Sequence, residues 1–221
     1  MNTDQIWRAV DTQRASLCDL LADLTDDEWR QPSLCTEWTV RDVAAHLSMQ
    51  QLGVRDLVGF MRKWRGSTDA TIAHVARLRA AELTTSEIIA GIRGMIGSRR
   101  HTLGVTRLEV LCDNLVHSHD IAHPLGRHLD LPAEAAAVCA SRVLSMRWPP
   151  PLPSVKKVAG FHLTATDTAW STGEGPEVRG PMAALLLVCC GRLTALPQLT
   201  GDGAAHLAAR FAPQSTVDQS P

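Results

Sequence analysis

Tyrosine is absent from this chain of 221 residues, phenylalanine occurs only three times, and the formal net charge is only −1. Six tryptophans supply most of the aromatic side chains. The near balance of acidic and basic residues gives no basic surface of the kind that attracts nucleic acid or an anionic membrane. The composition therefore predicts a globular protein whose partners include neither nucleic acid nor a membrane.

Long hydrophobic runs and ordered cysteine patterns are missing as well. The longest apolar run, residues 182–190, is far too short to cross a bilayer, and the N-terminal sequence MNTDQIWRAV lacks the apolar core of a secretory signal. The six cysteines show no CxxC or finger-like spacing, so neither a disulfide framework nor a cysteine-zinc site is indicated. These absences predict a protein of the reducing cytoplasm.

The first two thirds of the chain contain helix-start signals followed by apolar residues at helical spacing. Such spacing is present over residues 3–24. Capping-box sequences begin at Thr25, Thr39, Thr84 and Thr106. The signal at Thr39 precedes a helical pattern that runs to about residue 64, and another helix is expected over residues 133–146. Together these signals predict a mainly antiparallel four-helix bundle.

The character of the sequence changes at RWPPPLP, residues 147–153. Consecutive prolines cannot continue a helix, so this segment is predicted to be a stiff linker between domains. Beyond it, alternating β-branched residues and glycines predict two or three short strands with two short helices. The predicted fold class is α+β, mainly α, with a helical bundle over residues 1–147, a small α/β domain over 154–212 and a polar tail over 213–221.

The segment DNLVHSHDIAHPLGR, residues 113–127, places imidazoles and carboxylates among apolar residues of a predicted helix. Asp113 and His117 are four residues apart and share a helix face with Asp120. His46 lies in another predicted helix, with Asp42 one turn before it. Two imidazoles and a carboxylate are a known ligand set for a catalytic divalent metal ion. Spacing alone leaves hydrogen-bonded core histidines and solvated side chains open as alternatives.

Two segments, TEWTVRDVAAHL and DNLVHSHDIAHPLGR, resemble the metal-ligand helices of the mycothiol-dependent maleylpyruvate isomerase family, one of the DinB-like metal-binding bundles. Residues 163–203 are similar to the small C-terminal domain of that family. The resemblance implies a DinB-like four-helix bundle followed by a small α/β domain, with metal ligands at His46, Asp113 and His117. Many relatives have glutamate at the acidic position. Because Asp113 is one methylene shorter, the ion is expected closer to this helix or bound through one oxygen only.

The same resemblance implies a metal- and thiol-dependent isomerase or S-transferase. Zinc is the expected ion and mycothiol the expected thiol cosubstrate, which adds to a small electrophile as the thiolate. Asp42 and Asp120 are candidates for orienting the ligands or for acid–base chemistry. Arg192, Gln50 and His119 are candidates for binding the substrate or cofactor.

Other functions remain compatible with this sequence. A bundle with such a site can be a non-catalytic metal sensor or structural metal protein, although the second domain favours an enzyme. A metal-dependent hydrolase is a further alternative, with Asp42 or Asp120 as the base. The ligand types permit zinc, nickel or another ion, and both a monomer and a homodimer are compatible with the sequence.

Overall fold

The computed structural model describes residues 1–147 and 151–212, and for residues 54, 55 and 57 the backbone alone. The protein is 60% helical, with one small three-stranded sheet towards its C-terminus. This confirms the predicted mainly α, α+β class. Within the described ranges, no helix is both long and apolar enough to cross a bilayer. The chain divides into two compact units between Leu131 and Pro132.

The first unit is entirely helical. Its helices are α1 (Thr3–Ala22), α2 (Asp26–Arg30), α3 (Val40–Leu47), α4 (Val54–Arg62), α5 (Thr68–Glu82), α6 (Thr85–Arg93) and α7 (Arg107–Ala122), followed by a short 3-10 turn at His123–Leu125. Capping boxes form at the four predicted positions, ahead of α2, α3, α6 and α7. In each, the threonine side chain accepts a first-turn backbone N–H and the acidic side chain accepts the threonine N–H.

Helix α3 lies at the centre of this unit. It packs against α5, α6 and α7, and α1 packs against α6 and α7. Ala45 and Leu47, which flank His46 on α3, are buried. Leu111 and Leu115 on α7 are buried as well. Each buried leucine contributes about 1.5–3 kcal/mol through removal of its side chain from water. The core therefore fixes both helices that carry the predicted metal ligands.

One predicted helix is divided into two, and the structure contains one helix, α5, that the sequence did not predict. The pattern from Thr39 to about residue 64 is divided at residues 48–53 into α3 and α4. In the interruption, Gln50 O accepts the Thr102 N–H at 3.1 Å and Leu52 N donates to Thr102 Oγ1 at 3.1 Å, so tertiary contacts replace helical hydrogen bonds. Helix α5 begins with a simple cap at Ser67 that lacks an acidic partner. Its start signal was correspondingly weak.

The second unit combines helices with the sheet. Its elements are α8 (Ala133–Ser145), α9 (Pro153–Val158), β1 (His162–Ala165), β2 (Ser171–Thr172), β3 (Glu177–Gly180), α10 (Met182–Cys189), a 3-10 turn at Leu193–Gln198 and α11 (Ala204–Phe211). The strand order is β2-β1-β3, with β1 antiparallel to β2 and parallel to β3. Leu163 pairs with Thr172 on one side and with Val178 on the other.

The division between the units differs from the one predicted after residue 147. Helix α8 packs against α10, whose apolar side chains are buried almost all round. A helix that is apolar on every face needs a cover on each side, and α8 provides one of them within the second unit. Residues 148–150 of the predicted linker, and all of the predicted tail 213–221, lie outside the described residues.

Candidate metal centre

The first unit brings the three predicted ligands together from two helices. His46 lies in the last turn of α3, and Asp113 and His117 are one turn apart on α7. His46 Nε2 is 3.5 Å from Asp113 Oδ2, and His117 Nε2 is 3.9 Å from Asp113 Oδ1. Donor atoms of all three lie within 4.8 Å of one another. Because zinc binds such atoms at about 2.0–2.2 Å, the arrangement fits one small divalent cation.

Asp120 holds the opposite side of the His117 ring. Its side chain is completely buried, and its Oδ2 lies 2.9 Å from His117 Nδ1. The Cys35 thiol donates to the same oxygen at 3.1 Å. A carboxylate at Nδ1 keeps the proton on that nitrogen, so the lone pair of Nε2 is left for a metal ion. This support from a buried charged group is a second feature that fits a metal ligand at His117.

The electrostatics of the cluster favour a protonated His117 when no metal is bound. Burial opposes the charge on the ring, but hydrogen bonds to Asp120 and Cys35 and the nearby charge of Asp113 outweigh it and raise the pKa of His117 to about 10. Burial also opposes the charge on Asp113, although 43% of that side chain remains exposed. The imidazoles of His46 and His117 reverse this effect and lower the pKa of Asp113.

Zinc binding is therefore expected to release a proton from His117. A metal ion needs the neutral Nε2, whereas a group with a pKa of about 10 is protonated at pH 8. The apparent zinc affinity should rise about tenfold per pH unit between pH 6.5 and 9 because of this proton alone. Calorimetric titrations in buffers of different ionisation enthalpy measure the proton count. Zinc binding at pH 8 without proton release would contradict the expectation.

Replacing Asp120 with asparagine should weaken metal binding without removing a ligand. The variant keeps the shape of the side chain but loses the charge that orients and polarises the His117 ring. Changes of this kind behind a metal-bound histidine typically cost about 10–100-fold in affinity. Competition with a chromophoric zinc chelator measures the change, and Asp130→Asn, at an exposed aspartate, is the matched control. An unchanged affinity would show that Asp120 does not support the ligand.

A second group of possible ligands shares His117. Cys35, His117 and Asp120 also present donor atoms within 4.8 Å of one another, through the other ring nitrogen. Asp120 Oδ2 in that group already accepts hydrogen bonds from both of its neighbours. His46 and Asp113, in contrast, line a cavity that a ligand can enter. The geometry therefore favours the cluster of His46, Asp113 and His117 as the reactive centre.

The cavity beside the centre measures about 270 Å³. Its described lining is mostly apolar and comes from α3, α4, α5, α7 and the segments that precede α4 and α7. The lining residues are His46, Met49, Gln50, Leu52, Phe60, Thr68, Ile72, Val75, Thr102, Leu103, Val105, Val110 and Asp113. Because pockets for drug-sized ligands measure about 300–1,000 Å³, this volume suits a small molecule.

A buried polar network stands behind Asp113. Arg14 is completely buried, and its Nη2 donates to Gln50 Oε1 at 2.9 Å. Asn114 Nδ2 donates to the same oxygen at 2.8 Å. Two donors on Oε1 fix the orientation of the amide, so the Gln50 nitrogen is directed towards Asp113 and helps to lower the pKa of that carboxyl group. That nitrogen is buried and has no hydrogen-bond partner of ordinary length. The contacts thus indicate support of Asp113 by Gln50, and because Gln50 also lines the cavity, its predicted contact with substrate or cofactor stays a prediction.

The remaining predicted site residues have other described contacts. Asp42 Oδ2 accepts the backbone N–H and the hydroxyl of Thr39 at 2.8 and 2.7 Å, as part of the α3 capping box. His119 packs against the ring of His123 with centroids 5.0 Å apart. Neither Asp42 nor His119 contributes to the described lining of the cavity. In the second unit, Arg192 Nη1 donates to the backbone carbonyl two residues earlier at 2.7 Å.

Two residues at the centre had no assigned role in the sequence analysis. Cys35 and Trp38 reach it from the segment between α2 and α3. The Trp38 ring lies edge-on to His46, with centroids 5.5 Å apart, and stacks on His117 at 6.5 Å. Neither residue stands at a helical spacing from a ligand, so periodicity gave no signal for them. Their proximity comes from the way this segment folds over α7.

The sequence matches the family described as "Mycothiol maleylpyruvate isomerase N-terminal domain" over residues 10–164. The chain belongs to this family. The match includes all three clustered ligands of the first unit. The prediction made from the two ligand-bearing segments is therefore confirmed at the level of the family.

Curated relatives and solved structures give the same picture. Two uncharacterized proteins of Mycobacterium tuberculosis, from strains CDC 1551 and H37Rv, are each 31% identical over 136 residues, which is 57% of this chain and 71% of theirs. A crystal structure of mycothiol-dependent maleylpyruvate isomerase superposes with a TM-score of 0.59 at 14% identity. A histidine-to-alanine mutant of it gives 0.62 at 11% identity. Both cover 92% of this chain and 94% of the other, and they show a shared fold.

Proposed function

We propose that this family member is a divalent-metal enzyme that adds or exchanges mycothiol on a small electrophile, as an isomerase or an S-transferase. The observation that carries the proposal is the cluster of His46, Asp113 and His117 at the wall of a cavity. The names of the superposed structures, which are mycothiol-dependent isomerases, support the choice of thiol. Zinc is the proposed ion, since two imidazoles and one carboxylate leave a coordination position open.

The three ligands would hold the ion, and the surrounding residues would keep them in position. A bound divalent ion stabilises the thiolate form of a thiol at neutral pH. Asp120 keeps the His117 proton on Nδ1, and Gln50 supports Asp113. Trp38 covers the two imidazole rings and limits the access of water to them. The apolar cavity wall excludes water from the electrophile, which reduces its hydrolysis.

The proposed reaction balances without an outside oxidant or reductant. The thiolate sulfur forms a bond to the electrophilic carbon while the π electrons of the double bond move onto a conjugated carbonyl oxygen. In an isomerase, the single bond rotates, the electrons return and the thiolate leaves. In a transferase, the neighbouring carbon takes up a proton and the thioether remains. Mycothiol supplies the sulfur, so no cysteine of the chain has to act as nucleophile.

The six cysteines, all within the described part of the chain, form no disulfide. This agrees with the proposed location in a reducing cytoplasm, where a thiol cosubstrate stays reduced. The Cys35 thiol donates a hydrogen bond to Asp120, so we propose that Cys35 helps to hold Asp120 in place beside His117.

Cobalt substitution tests the proposal directly. The full chain is loaded with Co²⁺, and the visible spectrum is recorded before and after addition of mycothiol, with mycothiol methylated at sulfur as the matched control. A sulfur-to-cobalt charge-transfer band that appears with the free thiol only is the expected result. Thiol consumption with a panel of unsaturated carbonyl compounds then measures turnover. A spectrum that no thiol perturbs would contradict the proposal and favour a metal-binding protein without thiol chemistry.

A further inference from the structure

The side chains that line the cavity beside His46 and Asp113, here called the metal-adjacent cavity, restrict the chemical class of the substrate. Seven of its residues have purely aliphatic or aromatic side chains: Leu52, Phe60, Ile72, Val75, Leu103, Val105 and Val110. Among the described side chains that line it, none is lysine or arginine. The only charged carboxylate in this lining is Asp113, at the metal end. Thr68 and Thr102 add uncharged hydroxyls, so an anionic group bound away from the metal would meet apolar and uncharged polar side chains but no lysine or arginine of the described lining.

The charged side chains of this region line a different cavity. A second cavity of about 460 Å³ shares Met49, Leu52, Phe60 and Val75 with the first. Its own described lining adds Asp56, Lys63, Arg79 and Glu82, which carry both signs of charge. The cations suitable for an anionic group, Lys63 and Arg79, thus line this second cavity and not the one that His46 and Asp113 line. The two neighbouring spaces differ in the chemistry that they favour.

We infer that the metal-adjacent cavity takes an uncharged, mainly apolar electrophile with a single polar group at its metal end, and does not take a dicarboxylate. The inference rests on the proposed function, because it names the substrate class of that same site. A dicarboxylate such as maleylpyruvate can place one carboxylate near the metal. Its second carboxylate would then lose water without gaining a charged partner among the described lining side chains, and an uncompensated buried charge is strongly unfavourable.

Ile72 offers a way to change this preference. It lies on α5, is partly exposed and lines the cavity. Ile72→Arg would place a cation in the apolar wall with a long side chain that can extend towards solvent. Ala81→Arg is the matched control, because it adds the same charge on an exposed position of the same helix outside the described lining.

The test compares two unreactive probes, cyclohexanone and succinate, on the full zinc-loaded chain without thiol. Binding is followed through the methyl groups of Val110, which lines this cavity and not the second one, with the methyl carbon of Met146 in the second unit as the reference signal. For the wild type, we expect cyclohexanone to bind at least tenfold more tightly than succinate. Ile72→Arg should reverse this order, whereas Ala81→Arg should leave it unchanged.

Two results would overturn the inference. One is succinate binding to the wild type as tightly as cyclohexanone does, and the other is no shift of the Val110 signal with cyclohexanone. The titration keeps the two proposals apart, because it contains no thiol and therefore measures the preference of the cavity without any thiol chemistry. A protein that lacks thiol chemistry but binds cyclohexanone selectively would contradict the proposed function and retain the inferred cavity preference.

Discussion

His117→Ala is expected to abolish stoichiometric metal binding. The wild-type chain should hold about one zinc ion, as a site with three protein ligands does. The variant loses one of these ligands and also leaves Asp120 without its main partner. Two remaining donors, His46 and Asp113, do not form a site that competes with ordinary chelators in solution. Elemental mass spectrometry after gel filtration against a weak chelator measures the metal content of both proteins.

The control for this experiment is His123→Ala. His123 is an exposed histidine just after the end of α7, so its loss removes an imidazole from the same part of the chain but none from the cluster. It should retain the wild-type zinc content. Because loss of His117 also leaves a buried carboxylate, the circular dichroism of both variants has to be compared with the wild type. A folded His117→Ala protein that still binds one ion would show that the ligand assignment is wrong.

Gly175→Ala is expected to be severely destabilising in the second unit. Gly175 has a backbone φ of +120°, which residues with a side chain rarely adopt. A Cβ at this position would lie 2.3 Å from the carbonyl oxygen of Gly160. That neighbour is backbone, which cannot rotate away as a side chain can. The combined backbone strain and steric overlap should cost about 4 kcal/mol or more of the free energy of unfolding. Urea denaturation, followed by the methyl signal of the buried Met182, measures it.

Gly191→Ala separates the two contributions. Gly191 also lies in the second unit with a positive φ, +83°, but its Cβ would meet only Ser154 at an ordinary distance of 3.7 Å. This control carries the conformational cost alone, about 1–3 kcal/mol. A Gly175→Ala variant no less stable than Gly191→Ala would mean that the chain around Gly160 can move aside.

Helix starts could be predicted reliably from the sequence, because the signals for them are local. The starts of α2, α3, α6 and α7 were predicted because a capping box is made by residues three apart, without help from the rest of the fold. The end of α3 was not predicted, because it depends on hydrogen bonds to Thr102, a residue distant in sequence. Helix α8 was predicted with nearly its observed length, but its packing partner α10 is a tertiary feature that the proline-rich segment obscured.

The candidate site also contains residues that local sequence patterns predict and residues that only the tertiary structure brings together. Helical periodicity placed Asp113 and His117 on one face and His46 in another helix, and the family resemblance assigned these three residues as ligands. Cys35 and Trp38 come from an irregular segment, where no period relates a residue to the site. Arg14 looked like an ordinary polar residue of its helix, and Gln50 was predicted only as a contact for substrate or cofactor. Only their burial and shared hydrogen bonds show that they form one network behind Asp113.

The two-helix origin of the proposed ligands would make metal occupancy a determinant of how long the folded chain persists in a zinc-poor environment. An ion held by His46 on α3 and by Asp113 and His117 on α7 joins segments that are distant in the unfolded chain, so unfolding has to release it. A ligand that binds only the folded state stabilises it by about 2.7 kcal/mol at a free concentration 100 times its dissociation constant, and by about 4.1 kcal/mol at 1,000 times. The supply of the ion would then set the abundance of this protein as well as its proposed activity.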